Sequence, residues 1–259
     1  MNINKKLKTM NKILILIMIV PILMFISCQV DTEEIVNTHD DAYVDVLTKK
    51  MTMMGSEKYV LVFFAGGEGI DENGSNVKTP DGTVYNLTTF WASPGILTGL
   101  GNVQNALPQS GTYTFTLKFD DGYVKTITDI LEGENSTVPS LTVVYNQNTN
   151  PQTIDMTWSA SPEADFYCVK LIEIDPATGK AADAQPLYKV PLIEKNITSH
   201  IITFDGSNGW MRPISDFQNG ANYLVVISAK KVENGTPISG SSRDFEINAV
   251  STVSFTYQQ

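Results

Sequence analysis

Residues 154–159 decide the fold class, and they read Ile154-Asp155-Met156-Thr157-Trp158-Ser159. Apolar and polar residues alternate at every step, so Ile154, Met156 and Trp158 share one side of an extended strand. This period of two is typical of a strand that packs one face on a core and turns the other to water. The stretch therefore predicts an antiparallel β-sheet in the second half of the chain.

The same period recurs in the first half of the chain. In residues 113–119 aromatic or aliphatic residues alternate with Thr and Lys, and an Asp-Asp-Gly turn at 120–122 leads into a second strand at 123–127. Two such strands joined by a short turn predict a hairpin. Residues 59–65 form an unbroken apolar run, which is typical of a central strand buried on both faces. We predict an antiparallel sandwich domain over residues 49–136.

Residues 132–139 interrupt the pattern with Gly, Asn, Ser, Thr and Pro in quick succession. Such a composition predicts an interdomain linker. The second domain then covers residues 137–259. The predicted fold class is all-β, with two tandem antiparallel sandwiches.

The second domain resembles a fibronectin type III domain. Trp158 matches a Trp on that family's second strand, and residues 166–171 match its Tyr-rich third strand. A third motif matches the family's tyrosine corner, in the residues Phe217, Gly220 and Tyr223. The resemblance covers about 120 residues, from Pro139 to the end. It implies an immunoglobulin-like sandwich in which the Tyr223 hydroxyl bonds back to the loop backbone.

Two further features bear on this resemblance. Residues 176–212 are longer than the corresponding stretch of the family and leave room for an inserted strand or a binding loop. In the first domain Leu107, Gly111 and Tyr113 match the same corner more loosely. Tandem immunoglobulin-like sandwiches are therefore the simplest prediction.

Residues 1–27 predict a secretory signal peptide. Four lysines precede an apolar run of about 14 residues, which is shorter than the roughly 20 that a membrane-spanning helix needs. The run ends in Phe-Ile-Ser-Cys, which resembles the lipobox of bacterial lipoproteins with Phe25 in place of the usual Leu. The resemblance implies cleavage before Cys28 and lipid on its thiol, which would hold a soluble body on a membrane. An uncleaved anchor and an ordinary secretory signal remain alternatives.

Residues 28–48 are predicted to form a lipidated flexible tether, in which residues 42–48 could be one helical turn or an edge strand. The acidic patch at 29–34 resembles the export signal of Bacteroidetes-type surface lipoproteins, which implies an outer-membrane protein that faces the exterior. An ordinary solvated charge run is the alternative. Removal of the signal peptide takes away four lysines and no acid, leaving 14 basic and 28 acidic residues. Such an acidic body disfavours nucleic acid as a partner.

The residue patterns used in catalysis are missing from the sequence. The two histidines are His39, in the tether, and His200, in an alternating stretch, and no nucleophile elbow, zinc spacing, phosphate loop or dinucleotide motif is found. Besides Cys28 the only thiol is Cys168, which we expect to be a buried apolar residue without a disulfide partner. We predict no enzyme activity, no metal site and no cofactor.

Two tryptophans lie in loops, where the pattern gives no reason for burial. Trp210 precedes Arg212 in a Gly- and Asn-rich loop, and Trp91 precedes a Pro-Gly turn. An exposed indole ring with polar side chains nearby can stack on a sugar. Trp210, Arg212 and Trp91 are therefore candidate ligand-binding residues. The alternative is that each indole ring closes the end of its own sandwich.

The sequence as a whole predicts a non-enzymatic cell-surface lipoprotein that acts as a spacer and interaction (adhesion) module. Its partners would be the membrane, through the N-terminal lipid, and a glycan or a surface protein. The alternative is a glycan-binding accessory lipoprotein of an outer-membrane polysaccharide uptake system. Fold class does not decide between these functions.

Overall fold

The computed structural model describes residues 39–53, 55–90, 95–177, 186–239 and 244–259. Their regular structure is β-strand apart from one short 3₁₀ turn at Ile214–Asp216, so the predicted all-β class is confirmed. No described helix has the length and apolar character needed to cross a membrane. The strands are β1 Tyr43–Met53, β2 Ser56–Gly66, β3 Ile70–Lys78, β4 Val84–Asn86, β5 Thr88–Thr89, β6 Ile96–Leu100, β7 Gly111–Phe119, β8 Val124–Leu131, β9 Leu141–Asn146, β10 Thr153–Trp158, β11 Phe166–Glu173, β12 Tyr188–Glu194, β13 Ser199–Thr203, β14 Asn222–Val232 and β15 Phe245–Thr256.

One eight-stranded sheet runs through both predicted domains, in the order β12-β11-β14-β15-β1-β2-β6-β5. Its two halves meet where β1 pairs with β15, in parallel register from Thr48 opposite Ile247 to Met51 opposite Val250. Two smaller sheets accompany it, one in the order β4-β3-β7-β8 and the other in the order β13-β10-β9. The two predicted domains therefore share a sheet and are not separate sandwiches.

Both small sheets cover the same face of the large sheet. Lys50 on β1 pairs with Ala249 on β15, so the two side chains leave the sheet on the same side. Ala249 belongs to the hydrophobic core under β13-β10-β9. Val46, on the same side of β1 as Lys50, belongs to the core under β4-β3-β7-β8. We call this side the covered face and the opposite side, which carries Asp45, Leu47 and Lys49, the open face.

Each core contains a fully buried tyrosine whose hydroxyl is bonded to the backbone nearby. The Tyr223 hydroxyl accepts a hydrogen bond from the Gln218 backbone N–H at 2.9 Å, which confirms the contact expected at that position. The Tyr113 hydroxyl donates to the Gln109 carbonyl at 2.8 Å. Both tyrosines stabilise a loop at the point where the chain enters a strand.

The folded part begins earlier than the predicted boundary at residue 49. Strand β1 starts at Tyr43, and its residues 43–48 pair with β2 along their whole length. Of the two alternatives for residues 42–48, a helical turn or an edge strand, the structure has a strand, and it lies inside the sheet between β15 and β2. The signal peptide at 1–27, Cys28 and most of the tether lie outside the described residues.

The predicted linker at 132–139 connects β8 to β9, and its first three residues are bound to β15. The buried carboxylate of Glu246 accepts hydrogen bonds from three successive backbone N–H groups, those of Glu132 at 3.0 Å, Gly133 at 2.7 Å and Glu134 at 3.1 Å. Three donors on one carboxylate compensate for the cost of burying its charge. Asp41–Gln259 accordingly forms one compact unit.

Candidate functional site

Trp210 packs among other aromatic side chains. Its indole Nε1 donates to the Thr203 carbonyl at 3.0 Å, and its ring meets those of Tyr188 and Phe217 edge-on at centroid distances of 5.2 and 5.6 Å. The side chain is half-buried against the second core. This position favours the interpretation of Trp210 as a ring that closes the sandwich over that of a free stacking platform.

The other candidate residues named from the sequence do not provide a second binding group beside Trp210. Arg212 donates from Nε to Asp216 Oδ2 at 3.0 Å and lies 3.5 Å from Glu173 Oε2, so its charge is already paired within the fold. Trp91 and Cys28 lie outside the described residues. Trp210 and Arg212 are therefore neighbours whose polar atoms both serve contacts of the protein itself.

A groove of about 600 Å³ lies instead on the open face, beside the parallel joint of the large sheet. Its size falls in the range of about 300–1,000 Å³ usual for small-molecule sites. The groove is bounded by side chains of six strands and of the loop after β5. The lining residues are Tyr43, Asp45, Leu47, Lys49, Val62, Phe64, Phe90, Ile96, Thr98, Leu100, Lys170, Lys230, Phe245 and Asn248.

The apolar part of the groove follows from strand register. Val62 lies between Leu47 on β1 and Leu100 on β6, and these three side chains form one row across the sheet. Phe64 lies in the next row and meets the Phe90 ring edge-on at 6.1 Å. Leu47 and Val62 are buried in a small apolar cluster with Phe166, Val232 and Phe245, whereas Leu100 is exposed and Phe64 half-buried. The apolar surface open to a ligand at this end of the groove is therefore mainly that of Phe64 and Leu100.

The polar part is the neighbouring row toward β14. Lys49 on β1, Asn248 on β15 and Lys230 on β14 are paired in register, and we call these three side chains the lysine row. The Lys230 ammonium lies 3.7 Å from the centroid of the Phe245 ring, a cation–π distance. Lys170, on β11, adds a third ammonium group to the groove.

The three groove lysines carry positive charge without counter-ions. Within the described part of the chain, no carboxylate lies within 4.0 Å of Lys49, Lys170 or Lys230. Burial lowers the pKa of Lys230 to about 8, and the positive charge of Lys170 lowers it as well. Burial and the charge of Lys170 likewise lower the pKa of Lys49. Such a cluster is notable in a chain whose net charge is −10.

Asp45 is the acidic group in the groove lining, and its carboxylate forms no ion pair within 4.0 Å of the groove lysines, although its negative charge acts to raise the pKa of Lys230. Burial raises its pKa to about 9, and repulsion from Asp129 and Glu233 adds to the shift, so Asp45 is mainly protonated at neutral pH. Carboxylate oxygens of these three residues lie within 4.8 Å of one another. Nearby, the Asn248 Oδ1 is buried and has no hydrogen-bond partner among the described residues. The groove is therefore cationic, with a buried polar atom left unpaired.

Sequence reasoning missed this groove, although the lysines leave a trace in the sequence. Lys170 interrupts the apolar strand Phe-Tyr-Cys-Val-Lys-Leu at residues 166–171, and Lys230 ends a similar run in β14. A charged residue within a central strand is unusual unless it is paired or functional. Only the pairing of four strands, β11, β14, β15 and β1, brings these scattered lysines to one groove.

Comparisons with known proteins provide no further guide. No family model matches the chain, and no curated protein matches it. Among solved structures, a DUF4785 family protein from Legionella pneumophila is similar at 10% sequence identity and a TM-score of 0.23. The match covers 72% of this chain and 52% of that one, so this chain spans about half of that protein.

Proposed function

We propose that this protein is a non-enzymatic, lipid-anchored interaction module of the outer membrane that faces the cell exterior. In this proposal the body of residues 41–259 holds a ligand-binding surface at a distance from the membrane. The observation that carries the proposal is the groove on the open face, where an apolar row adjoins uncompensated lysines. Pockets with mostly apolar walls and a few convergent polar groups are the usual form of ligand sites.

A binding role fits the groove better than a catalytic one. Its described lining residues include no histidine, serine or cysteine, which supply most nucleophiles and general bases. His200 lies on β13 of a small sheet, where its Nε2 is 2.8 Å from the Tyr188 hydroxyl. The groove lysines and the neighbouring apolar side chains support attraction of an anion and burial of apolar surface as its role.

We further propose that the second sandwich is of the fibronectin type III kind. In support, it has seven strands, with β9, β10 and β13 in one sheet and β11, β12, β14 and β15 in the other. The Tyr223 contact with Gln218 is the one expected of a tyrosine corner. Strand β12 lies within residues 176–212, where the sequence is longer than the family pattern. Modules of this kind serve as rigid spacers, and the linker contacts to Glu246 extend that rigidity to both sandwiches.

Anchoring is tested at Cys28. We expect the substitution Cys28→Ser to move the protein from the membrane fraction to the soluble fraction, because lipidation requires the thiol. Cys168→Ser is the matched control, since Cys168 is a buried thiol on β11 and its substitution should leave the fractionation unchanged. Retention of the Cys28→Ser protein on membranes would contradict the anchoring proposal.

The ligand-binding role is tested with the neutral apolar dye Nile red. We expect one dye molecule to bind per chain with enhanced fluorescence, and Phe64→Ala to weaken binding about tenfold because it removes an aromatic wall of the groove. Tyr123→Ala is the matched control, since that ring is half-exposed and lies outside the groove. Absence of saturable binding, or equal effects of the two substitutions, would exclude the groove as the ligand surface.

A further inference from the structure

We propose that the groove binds single-chain anionic amphiphiles, with the anionic head at the lysine row and the hydrocarbon chain along the apolar row. This inference rests on the proposed ligand-binding role of the groove and adds the chemical class of the ligand. It follows from three observations on the open face, which concern the charge, the apolar surface and the unpaired amide oxygen.

Charge complementarity selects an anion. Three ammonium groups converge on the groove without a described carboxylate partner, and the acid beside them, Asp45, accepts a backbone hydrogen bond from Phe245 at 3.4 Å and is largely neutral. Like charges held together out of water repel one another. A bound anion would relieve this repulsion, whereas a cation or a neutral sugar would not.

The layout of the rows selects an amphiphile over a small anion. The row of Leu47, Val62 and Leu100 lies directly beside the lysine row, because successive residues on one face of β1 are Lys49 and Leu47. A ligand that pairs with the lysines can therefore extend over apolar side chains without bending away from the sheet. Burial of a methylene group contributes about 0.8 kcal/mol to binding, so a long chain adds more affinity than the head alone.

The width of the lysine row selects a single, compact head. Lys49 and Lys230 lie on strands separated only by β15, so their Cα atoms are about 10 Å apart at the usual spacing of about 4.8 Å between strands. Two ammonium groups on flexible stems can close on one carboxylate from opposite sides. Asn248 lies between them, and reorientation of its amide would let Nδ2 donate to the same head.

The test compares dodecanoate with dodecanol, both below the concentrations at which they aggregate, as competitors of bound Nile red. We expect dodecanoate to displace the dye at concentrations at least about tenfold lower than dodecanol, the ratio for one charge-assisted hydrogen bond. Acetate should not displace the dye, because it lacks the hydrocarbon chain.

Lysine variants assign the head to its site. Lys230→Met and Lys49→Met keep the apolar stems and remove the charges, so each should weaken dodecanoate about tenfold and leave dodecanol and Nile red within about twofold. Lys78→Met, on β3 and exposed, is the matched control and should change none of the three. Retained Nile red binding by a variant shows that its groove is folded.

A proton-uptake measurement gives a second, independent readout. Because the pKa of Lys230 is lowered to about 8, this ammonium is partly deprotonated at pH 8, so a bound carboxylate should draw protons from the buffer and dodecanol should draw none. Calorimetry in two buffers of different ionisation enthalpy measures this uptake.

The outcomes separate this inference from the proposed function. Equal displacement by dodecanoate and dodecanol, or indifference of dodecanoate to both lysine variants, would overturn the inference while the groove remains a ligand surface for neutral molecules. Displacement of Nile red by acetate, which has no hydrocarbon chain, would also overturn the inference, because the groove would then bind small anions. Failure of Nile red to bind at all would overturn the inference together with the binding role of the groove.

Discussion

The two faces of the eight-stranded sheet are formed by the same strands, but the covered face packs on the two small sheets and the open face carries the groove. On the covered face, β2 contributes Phe63, which is fully buried against Tyr85, Tyr113 and Phe115. On the open face, the next residue, Phe64, is only half-buried and lines the groove. Adjacent residues of one strand therefore belong to the core and to the lining of the groove, because successive side chains of a strand point to opposite faces.

The largest expected difference between the faces is at these two phenylalanines. Phe63→Ala removes a fully buried ring and should lower the free energy of unfolding by about 3–5 kcal/mol. Phe64→Ala removes a half-exposed ring and should cost about 1 kcal/mol. Denaturant unfolding of both variants measures the two values. Similar losses would mean that the open face is as much a core as the covered one.

The second comparison concerns the ionisation of Asp45, which belongs to the open face. Its pKa is raised to about 9, so the folded state holds a proton that the unfolded chain releases near pH 3.8. The stability that this proton contributes is complete below pH 3.8 and is lost as the pH rises toward 9. Raised pKa values of Asp129 and Glu233, the latter about 7, act in the same direction.

We therefore expect the protein to lose stability between pH 5 and pH 7, by about 3 kcal/mol if one such group titrates. Asp45→Asn keeps an oxygen to accept the Phe245 N–H and cannot ionise, so it should reduce this slope and stabilise the protein at pH 7. Urea midpoints of both proteins at the two pH values provide the measurement. An unchanged slope in Asp45→Asn would place the titration elsewhere.

The covered face could largely be predicted from the sequence, and the open face could not. Alternation places Ile154, Met156 and Trp158 on one side of β10, and all three are in the second core. Local patterns of this kind predict burial because successive side chains of a strand point to opposite faces, whichever strands it pairs with. The parallel pairing of β1 with β15 joins residues about 200 positions apart, and no local pattern encodes such a contact.

The groove depends on that same long-range pairing. Lys49 and Lys230 become neighbours of Asn248 only when β1 and β14 lie on either side of β15. Trp210 shows a second limit of prediction from the sequence, at a residue that was expected to be exposed. Its loop composition predicts exposure, whereas β12 supplies Tyr188, whose ring packs against the indole. Loop composition does not report which aromatic residues from distant strands will meet it.

The smallest expected effects test whether the covered face works as one core or as two. Tyr113→Phe and Tyr223→Phe each remove a single hydroxyl contact with the backbone, one in each core, and the rings keep their packing. Each substitution should therefore lower the free energy of unfolding by about 1 kcal/mol, the net contribution of one hydrogen bond.

The shared sheet and the Glu246 contacts with the linker join both cores in one compact unit, so each variant should shift a single melting transition by a similar amount. Calorimetry resolves the alternative, in which two transitions appear and each substitution moves only one of them. That result would show that the pairing of β1 with β15 does not couple the unfolding of the two cores. The lysine row, which crosses this pairing, would then be lost at the first of the two transitions.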